Sequence, residues 1–341
     1  MPEKAISKYV EFSSVGKVIC STEEISISDL APAEVVIENE ASVISAGTEL
    51  ARLAGIEEGA DFPFRPGYGS IGRIIAKGEE IDDFNVGDRV FFAGKHASVQ
   101  RFNHKEDHQW AYLFSVPEDL DPVDAAVGCM AQIASTAPNL ANVTLNDTVA
   151  VFGLGMVGIL AACMFRLKGA KVIGVDPVEH RCKLAEQMGI ETTLSVSPSE
   201  QVDAILALTN GEGVDIAVDA AGHSSVVVNA VKSTRLFGEV YLLGSPRAPV
   251  QGNLTEAFSL IHLNCLKVVG AHMWQYPVDR QRGVKMSCVR NFETIFDLIR
   301  TGRINVRPLI SHVITPEQAP EAYYGLRDDQ EHYTCAVIKW K

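Results

Sequence analysis

A glycine-rich turn between an apolar strand and an apolar helix constrains this chain more than any other feature. The strand segment is Thr148–Phe152, and the residues that follow, GLGMVG, have the spacing G-x-G-x-x-G. In a βα unit the first glycine permits the tight turn, the second lets the backbone approach a diphosphate, and the third allows close packing of helix and strand. The helix start presents free N–H groups and a positive dipole end to the anion. The predicted diphosphate contacts are Gly153, Gly155, Met156, Val157 and Gly158.

Asp176 indicates which dinucleotide this unit prefers. It ends the next apolar segment, KVIGVD, 23 residues after Gly153. A carboxylate at this point can accept both ribose hydroxyls of NAD and would repel the additional phosphate of NADP. Asp176 could also act only as a helix N-cap before Pro177. Arg181 keeps NADP open, because a guanidinium there could meet the 2′-phosphate or stack on adenine. The sequence therefore predicts NAD, with NADP as the alternative.

Two later strand ends complete the predicted cofactor pocket. The apolar segments VDIAVD and EVYLLG both lead into turns that contain glycine. Glycine after a strand is common in ordinary turns, but ligands of open parallel sheets bind at the carboxyl ends of the strands. The regular placement of these turns favours binding, and the predicted contacts are Ala221, Gly222, Gly244 and Ser245.

The order of the elements predicts two domains. Residues 1–122 are β-rich, with turns at Gly78 and Gly87, whereas strands and helices alternate over residues 123–276. Such alternation implies parallel βαβ units in a doubly wound sheet, an α/β fold. An amphipathic helix that ends near Gly302 and a last strand, TCAVIKW, follow. We expect residues 277–341 to return to the first domain, so that the chain crosses between the domains twice.

Charge and composition exclude several classes of protein. The net charge of −13 argues against binding to nucleic acid or to an anionic membrane, since both require a basic face. The longest apolar run, residues 149–165, is slightly short for a membrane span and contains three glycines. The seven cysteines form no CxxC pair, and the first residues lack the apolar core of a signal peptide. These features predict a cytoplasmic location with reduced thiols.

Several segments together resemble the medium-chain dehydrogenase/reductase superfamily, which includes the zinc alcohol dehydrogenases. PGYGSIGRI, starting at Pro66, is similar to the family pattern P-G-H-E-x-x-G-x-V, and VGDRV, starting at Val86, contains its G-D-R-V turn. The glycine-rich motif lies at the expected distance, and RTGRINVRPLISHVITPEQAPEAY is similar to the family's C-terminal region. The resemblance implies a GroES-like β domain with an inserted Rossmann domain. It also implies a homodimer formed through LKVVGAH, the edge strand of the Rossmann sheet.

The residues that bind zinc in this superfamily are largely replaced. Ala46 stands at the position of the first cysteine ligand and Tyr68 at that of the histidine, while Cys129 matches the third ligand. One ligand of three cannot hold a catalytic zinc. The segment FFAGKHASVQRFNHKEDHQW lacks the four cysteines of the family's structural zinc site. The resemblance therefore predicts that neither zinc is bound.

Other groups with metal-binding or nucleophilic chemistry have simpler interpretations. His96, His104 and His108 lie close in sequence, and the last two have helical i, i+4 spacing. No apolar helix frames them, which favours a solvated polar loop over a metal site. Cys129 lies in an apolar stretch without an adjacent base, which favours an unreactive thiol.

Without zinc, side chains must stabilise the charge that develops on the substrate oxygen. Thr48 matches the family's proton relay. The phenol of Tyr68 could donate to a carbonyl oxygen or accept from an alcohol, and Glu49 could act as a base or an orienting partner. Packing alone is the alternative for Tyr68. For Glu49 it is a structural hydrogen bond or an ion pair with Arg52 or Arg73.

Two short motifs are similar to a zinc-lacking branch of the superfamily that contains bacteriochlorophyllide a dehydrogenase. They are SAGTE, starting at Ser45, and PGY, starting at Pro66. The sequence thus predicts a zinc-independent NAD(P)-dependent oxidoreductase that transfers hydride to or from a hydroxyl or carbonyl carbon. Its small-molecule substrate would be a polyol, a sugar or a larger biosynthetic intermediate. Reduction of an activated C=C bond, and a nucleotide-binding sensor or structural protein without turnover, remain alternatives.

Overall fold

The computed structural model describes residues 3–57, 59–104 and 111–341, and its backbone forms two compact units. The first unit contains residues 1–129 and 276–341, and the second contains residues 130–275. The strands are β1 (Lys4–Ser14), β2 (Lys17–Ser26), β3 (Glu34–Val43), β4 (Ser70–Lys77), β5 (Arg89–Phe92), β6 (Val99–Asn103), β7 (Leu113–Ser115), β8 (Thr148–Phe152), β9 (Lys171–Val175), β10 (Thr192–Leu194), β11 (Val214–Asp219), β12 (Thr234–Leu242), β13 (Lys267–Gly270), β14 (His312–Ile314) and β15 (Ala336–Lys339).

Ten α-helices and three short 3-10 segments connect these strands within the described residues. The helices are α1 (Ala46–Leu53), α2 (Pro122–Ala134), α3 (Thr136–Leu140), α4 (Met156–Leu167), α5 (Glu179–Gln187), α6 (Gln201–Leu208), α7 (Ser224–Ser233), α8 (Leu254–Leu263), α9 (Cys288–Arg300) and α10 (Ala319–Asp328). The 3-10 segments are Met273–Gln275, Arg307–Leu309 and Pro316–Gln318.

The first unit is built around a mostly antiparallel sheet to which both parts of the chain contribute. The strand order is β14-β15-β3-β4-β5-β7, and β6 also pairs with β3. The late strand β15 pairs antiparallel with β3, with Val337 opposite Val43. Side chains of β3 and its neighbours, such as Ile37, Ile74 and Val90, are fully buried and form one apolar cluster. A separate hairpin, β1 with β2, covers a second cluster that includes Tyr323 of α10.

The second unit contains a six-stranded parallel sheet in the order β10-β9-β8-β11-β12-β13. Numbered within the unit, this is the order 3-2-1-4-5-6 of a doubly wound dinucleotide fold. Buried apolar residues of the central strands, including Phe152, Ala217 and Val240, form its core. The predicted fold class is confirmed: a GroES-like β domain together with a Rossmann domain.

Two helices end close to a glycine, and a third helix contains a proline. Gly302, the predicted end of a helix, follows α9, and Gly189 follows α5, both with the positive φ typical of helix ends. Helices α2 and α3 separate at Ser135, and α3 includes Pro138. Pro138 is tolerated there because N–H groups in the first turn of a helix have no intrahelical acceptor. Helix α1, in the part predicted to be β-rich, was not anticipated.

The apolar run at residues 149–165 is divided between β8, the glycine-rich turn and α4. No helix in the described part of the chain is long and apolar enough to cross a membrane. The segment LKVVGAH contains β13, which lies at one edge of the parallel sheet, as predicted. Its Val268 is 40% exposed.

Candidate functional site

The glycine-rich turn between β8 and α4 has room for no other residue at two of its three glycines. Gly153 has a φ of +91°, and a Cβ on it would lie 2.8 Å from the backbone nitrogen of Ala221. A Cβ on Gly158 would overlap the carbonyl oxygen of Gly153. The turn therefore requires glycine for its own geometry at both positions.

Gly155 has a different environment, because a Cβ there would meet no atom within 4 Å. It is the N-cap of α4 and provides no side-chain cap. Among the described residues, the backbone N–H groups of Gly155, Met156 and Val157 have no hydrogen-bond partner. Free donors facing open space at a helix start fit the diphosphate of a dinucleotide.

Asp176 is buried beside this turn, with 1% of its surface exposed. Its Oδ2 accepts a hydrogen bond from Leu154 N at 2.7 Å, and its Oδ1 accepts one from Val178 N at 2.9 Å. Arg181 Nη1 lies 3.5 Å from Asp176 Oδ2. The carboxylate thus joins the glycine-rich turn to the end of β9. The Arg181 guanidinium forms an ion pair with it and partly neutralises its charge.

The loops after β11 and β12 carry the other predicted cofactor residues. Gly222 has a φ of +69°, and a Cβ on it would lie 2.5 Å from Ser245 O. A Cβ on Gly244 would overlap Gly222 N. Because β8, β11 and β12 are parallel neighbours, these loops and the glycine-rich turn lie at the same edge of the sheet. Ala221 belongs to this group, since its backbone nitrogen is close to the Gly153 position.

Asp219, at the end of β11, is a buried carboxyl group that the sequence did not single out. It has no exposed surface, and its Oδ1 accepts hydrogen bonds from Ala221 N at 3.0 Å and Gly222 N at 3.1 Å. Its Oδ2 is buried without a hydrogen-bond partner among the described residues. Burial raises the pKa of Asp219 to about 6, although the two backbone donors oppose the rise.

We expect Asp219→Asn to stabilise the protein at neutral pH. The native pKa exceeds the ordinary value of 3.8, so the native state binds the proton more tightly and loses stability as the pH rises from about 4 to above 6. The amide keeps an oxygen for the two backbone donors and removes the buried charge. Urea unfolding should give similar free energies for variant and wild type near pH 4 and an advantage of about 1–3 kcal/mol for the variant at pH 7.

Asp83→Asn, in an exposed loop, is the matched control and should show no such pH-dependent gain. A difference in the free energy of unfolding between Asp219→Asn and wild type that stays constant from pH 4 to pH 8 would contradict the claim that burial destabilises the ionised Asp219 carboxylate.

A cavity of about 590 Å³ in the first unit brings the predicted catalytic residues together. Thr48 and Glu49 reach it from α1, and Tyr68 reaches it from the loop before β4. Arg52, Phe64 and Lys95 also line it.

Tyr68 is held by polar neighbours on α1 and at its start. Its hydroxyl donates a hydrogen bond to Ser45 Oγ and also interacts with Thr48. Burial, with a smaller contribution from Cys129, raises the pKa of Tyr68 above its ordinary value of 10. The residue is therefore a neutral phenol at physiological pH and has a proton to donate.

Glu49 is tied into a buried network and is 3% exposed. Its Oε1 accepts a hydrogen bond from Ser45 N at 3.1 Å, and its Oε2 accepts one from the hydroxyl of Tyr323. His96 Nε2 lies 3.1 Å from the same Oε2. The network extends from the other ring nitrogen of His96 to Ser42 Oγ at 2.8 Å.

The ion-pair partners suggested for Glu49 are wrong. Arg52 instead lies 3.6 Å from Glu57, and Arg73 pairs with Glu40 and Glu118. The actual partners, His96 and Tyr323, are 47 and 274 residues away along the chain, so no local sequence signal could have identified them.

The residues that the family resemblance places at a catalytic zinc site do not fit zinc. Ala46 and Tyr68 occupy two of the three positions, and the thiol of Cys129 is buried 3.8 Å from Tyr68 O. Burial raises the pKa of Cys129 well above the usual thiol range, which opposes the thiolate that zinc requires. No group of three histidine, cysteine or acidic side chains in the described residues could hold a metal ion.

Of the three histidines considered as a second metal site, the two that the structure describes have separate surroundings. His96 belongs to the Glu49 network. The ring of His104 packs edge-on against Phe84, with 5.9 Å between the ring centres. His108 lies outside the described residues.

Comparisons with known proteins agree with the fold. Residues 156–286 match the family described as zinc-binding dehydrogenase, a segment that excludes Ala46, Tyr68 and Cys129. D-guloside 3-dehydrogenase of Escherichia coli K12 is 29% identical over 277 residues, which cover 80% of this chain and 76% of that protein.

Two solved structures share the fold at a TM-score of 0.81. Galactitol-1-phosphate dehydrogenase of Escherichia coli is 20% identical, with 97% of this chain and 99% of that chain covered. An alcohol dehydrogenase of Escherichia coli CFT073, complexed with NADH, is 19% identical, with 98% and 99% covered.

Proposed function

Because the chain belongs to the medium-chain dehydrogenase/reductase superfamily and is an oxidoreductase, we propose that it is a zinc-independent enzyme that uses NAD. It would transfer hydride between the nicotinamide and a hydroxyl or carbonyl carbon of a polyol, sugar or biosynthetic intermediate. The observation that carries the proposal is a neutral Tyr68 phenol beside Thr48 on the wall of a cavity. The family resemblance would put this phenol where other members have a zinc ligand.

The second unit supplies the cofactor site. The N–H groups of Gly155, Met156 and Val157 would hold the diphosphate, and the loops at Gly222 and Gly244 would border the rest of the molecule. When bound, nicotinamide supplies a carbon that accepts or donates the hydride. The carboxylate of Asp176 supports a preference for NAD, because its charge is close to the glycine-rich turn and would repel a 2′-phosphate.

The first unit supplies the proton chemistry. In the reducing direction, the Tyr68 hydroxyl would donate its proton to the carbonyl oxygen and would recover one by way of Ser45 or Thr48. In the oxidising direction, it would take up the hydroxyl proton of the substrate while its own proton passes by way of Ser45 or Thr48 to water in the cavity. Both oxygens of Glu49 are already engaged, with Ser45 N on one side and Tyr323 and His96 on the other. Glu49 therefore positions the start of α1 in this proposal, and Tyr68 and Thr48 contact the substrate.

The proposal includes a small-molecule substrate, a cytoplasmic location and a homodimer. Support for the dimer comes from the edge position of β13 and the exposed apolar side chains on and near it, since exposed sheet edges tend to pair. These side chains are Leu263, Val268 and Trp274, exposed by 70%, 40% and 45%.

Activity without metal is the test of this function. We expect the purified protein to oxidise members of a polyol and sugar panel with NAD⁺ in preference to NADP⁺. The rate should be unchanged after dialysis against a strong chelator, because no set of side chains that could bind zinc is found in the described part of the first unit. Loss of activity on chelation that added zinc restores would contradict the proposal.

Deuterium-labelled NADH separates the remaining alternatives. Label on a carbinol carbon supports the proposal, whereas label on a carbon of a former C=C bond supports an enoyl or quinone reductase. Cofactor binding without consumption across the panel supports a sensor or structural protein.

A further inference from the structure

Two cationic side chains flank one aromatic ring in the cavity of the first unit. The guanidinium carbon of Arg52 lies 4.3 Å from the centre of the Phe64 ring, and Lys95 Nζ lies 5.4 Å from the same centre. Both residues line the cavity that contains Tyr68 and Thr48. Two cationic groups therefore lie in the same cavity as the proposed proton donor.

Lys95 lacks the anionic partner that the other cationic residues of the cavity have in the described part of the chain. Lys95 Nζ makes no hydrogen bond or ion pair within residues 3–57, 59–104 and 111–341. The Nε of Arg52 is buried without a hydrogen bond in the same ranges, and its nearest anion, Glu57, is 3.6 Å from Nη1. In contrast, Arg101 at another part of the cavity wall is paired with Glu34.

A contact with the Phe64 ring explains the position of the Arg52 guanidinium better than it explains the position of the Lys95 ammonium. A guanidinium at 4.3 Å from a ring centre is well placed for a cation–π contact, whereas an ammonium at 5.4 Å is near the limit of the interaction. The Lys95 ammonium keeps its hydrogen-bond donors available to a ligand in the cavity. In a chain with a net charge of −13, a lysine ammonium that lies beside a guanidinium and has no anionic partner among the described residues needs a reason beyond solubility.

The electrostatics of Lys95 are consistent with an incomplete site. The cavity walls partly desolvate the ammonium and lower its pKa. Glu49 opposes the change, and Arg52, with the smaller effect, adds to it. An anion bound between Lys95 and Arg52 would remove the repulsion between the two cations.

We propose that this cavity selects substrates that carry a carboxylate or phosphate group in addition to the reacting hydroxyl or carbonyl. Lys95 holds that group, and Arg52 acts as the second cation. The inference rests on the proposed function, because it names the class of substrate for the same cavity. A guanidinium binds either oxyanion through parallel hydrogen bonds, and an ammonium binds either as a point charge.

Binding of simple anions tests the site without turnover. Inorganic phosphate and acetate are titrated separately into the protein saturated with NAD⁺, so that the nucleotide site does not compete. We expect Lys95→Gln to weaken binding of the preferred anion by tenfold or more, since a charge-assisted hydrogen bond is lost. Lys95→Arg should retain most of the affinity, and Arg52→Gln should reduce it. The preferred anion shows whether the group is a phosphate or a carboxylate.

Lys17→Gln is the matched control, because this exposed lysine lies on β2 outside the cavity lining. It should bind both anions as the wild type does. Equal anion affinity in Lys95→Gln and wild type would overturn the proposal, and so would an equal loss in Lys17→Gln.

Turnover of matched substrate pairs separates this inference from the proposed function. The pairs are glycerol and glycerol 1-phosphate, sorbitol and sorbitol 6-phosphate, and propane-1,2-diol and lactate. We expect the anionic member to have a kcat/KM at least tenfold higher, and Lys95→Gln to remove that preference through KM. Oxidation without any preference for the anion overturns the inference and leaves the proposed function standing. If anion binding depends on Lys95 but no member of any pair is oxidised, the anion site stands and the proposed function is overturned.

Discussion

Gly158→Ala is expected to disrupt nucleotide binding more than any other single methyl group added to the chain. The new Cβ would overlap the carbonyl oxygen of Gly153, and it would also lie 3.3 Å from the Cβ of Ala220. Because the first obstacle is backbone, the glycine-rich turn itself must move. Overpacking of this kind costs about 1–3 kcal/mol. If that cost falls on the bound state, the Kd for NADH rises by roughly 10- to 100-fold. Fluorescence titration with NADH measures this Kd. Thermal unfolding of the free protein shows how much of the cost is a loss of stability that does not depend on the nucleotide.

Two further alanine variants make this result specific. Gly155→Ala should leave stability nearly unchanged, because its Cβ meets no atom within 4 Å and its φ of −69° suits any residue. It should still weaken NADH binding, since the methyl group enters the space assigned to the diphosphate. Gly252→Ala, also with open space around it, should change neither quantity. Wild-type NADH affinity in both Gly155→Ala and Gly158→Ala would place the nucleotide elsewhere.

Tyr68→Phe should lower kcat by roughly 100- to 1,000-fold, the range expected when a positioned proton donor is removed. The phenylalanine keeps the ring and loses the hydroxyl that contacts Ser45 and Thr48. Steady-state kinetics with the best substrate of the panel give kcat, and NADH titration should show an unchanged Kd. A fall in kcat without a change in cofactor affinity locates the defect in proton transfer.

Tyr9→Phe removes a phenolic hydroxyl elsewhere in the first unit, where the ring of Tyr9 packs under Arg65. It should have wild-type kinetics. A Tyr68→Phe enzyme with kcat within a factor of three of the wild type would show that another group moves the proton, and Thr48→Val would then be the informative variant.

The dinucleotide half of the molecule was predictable from sequence because its signals are local. The strand, the three glycines and the helix are consecutive, and Asp176 follows one βα unit later. Glycine positions carry information of this kind because the backbone geometry excludes a side chain at Gly153 and Gly158. The alternation of strands and helices was also sufficient for the α/β fold class, although the register shifts and the order of the strands required the structure.

The first unit was less accessible to sequence reasoning, because its important contacts join distant residues. Thr48, Glu49 and Tyr68 were identified by position in a family pattern, but the short helix that carries the first two was not. The partners of Glu49 come from β-rich and C-terminal segments far away in the chain. Phe64 and the two cations beside it, Arg52 and Lys95, likewise come from three separate segments, and no periodicity or motif connects them.

The pairing of β15 with β3 has a consequence for the order in which the protein can mature during translation. All six strands of the parallel sheet have been synthesised by residue 270, whereas the first unit still lacks β14 and β15. Tyr323 and Trp340, which hydrogen-bond to Glu49 and Ser42, are made later still. A nascent chain therefore carries every strand of its nucleotide-binding sheet while the carboxylate network beside Tyr68 is incomplete. Completion of the polypeptide thus acts as a timing step, after which the reactive cavity can acquire its final form.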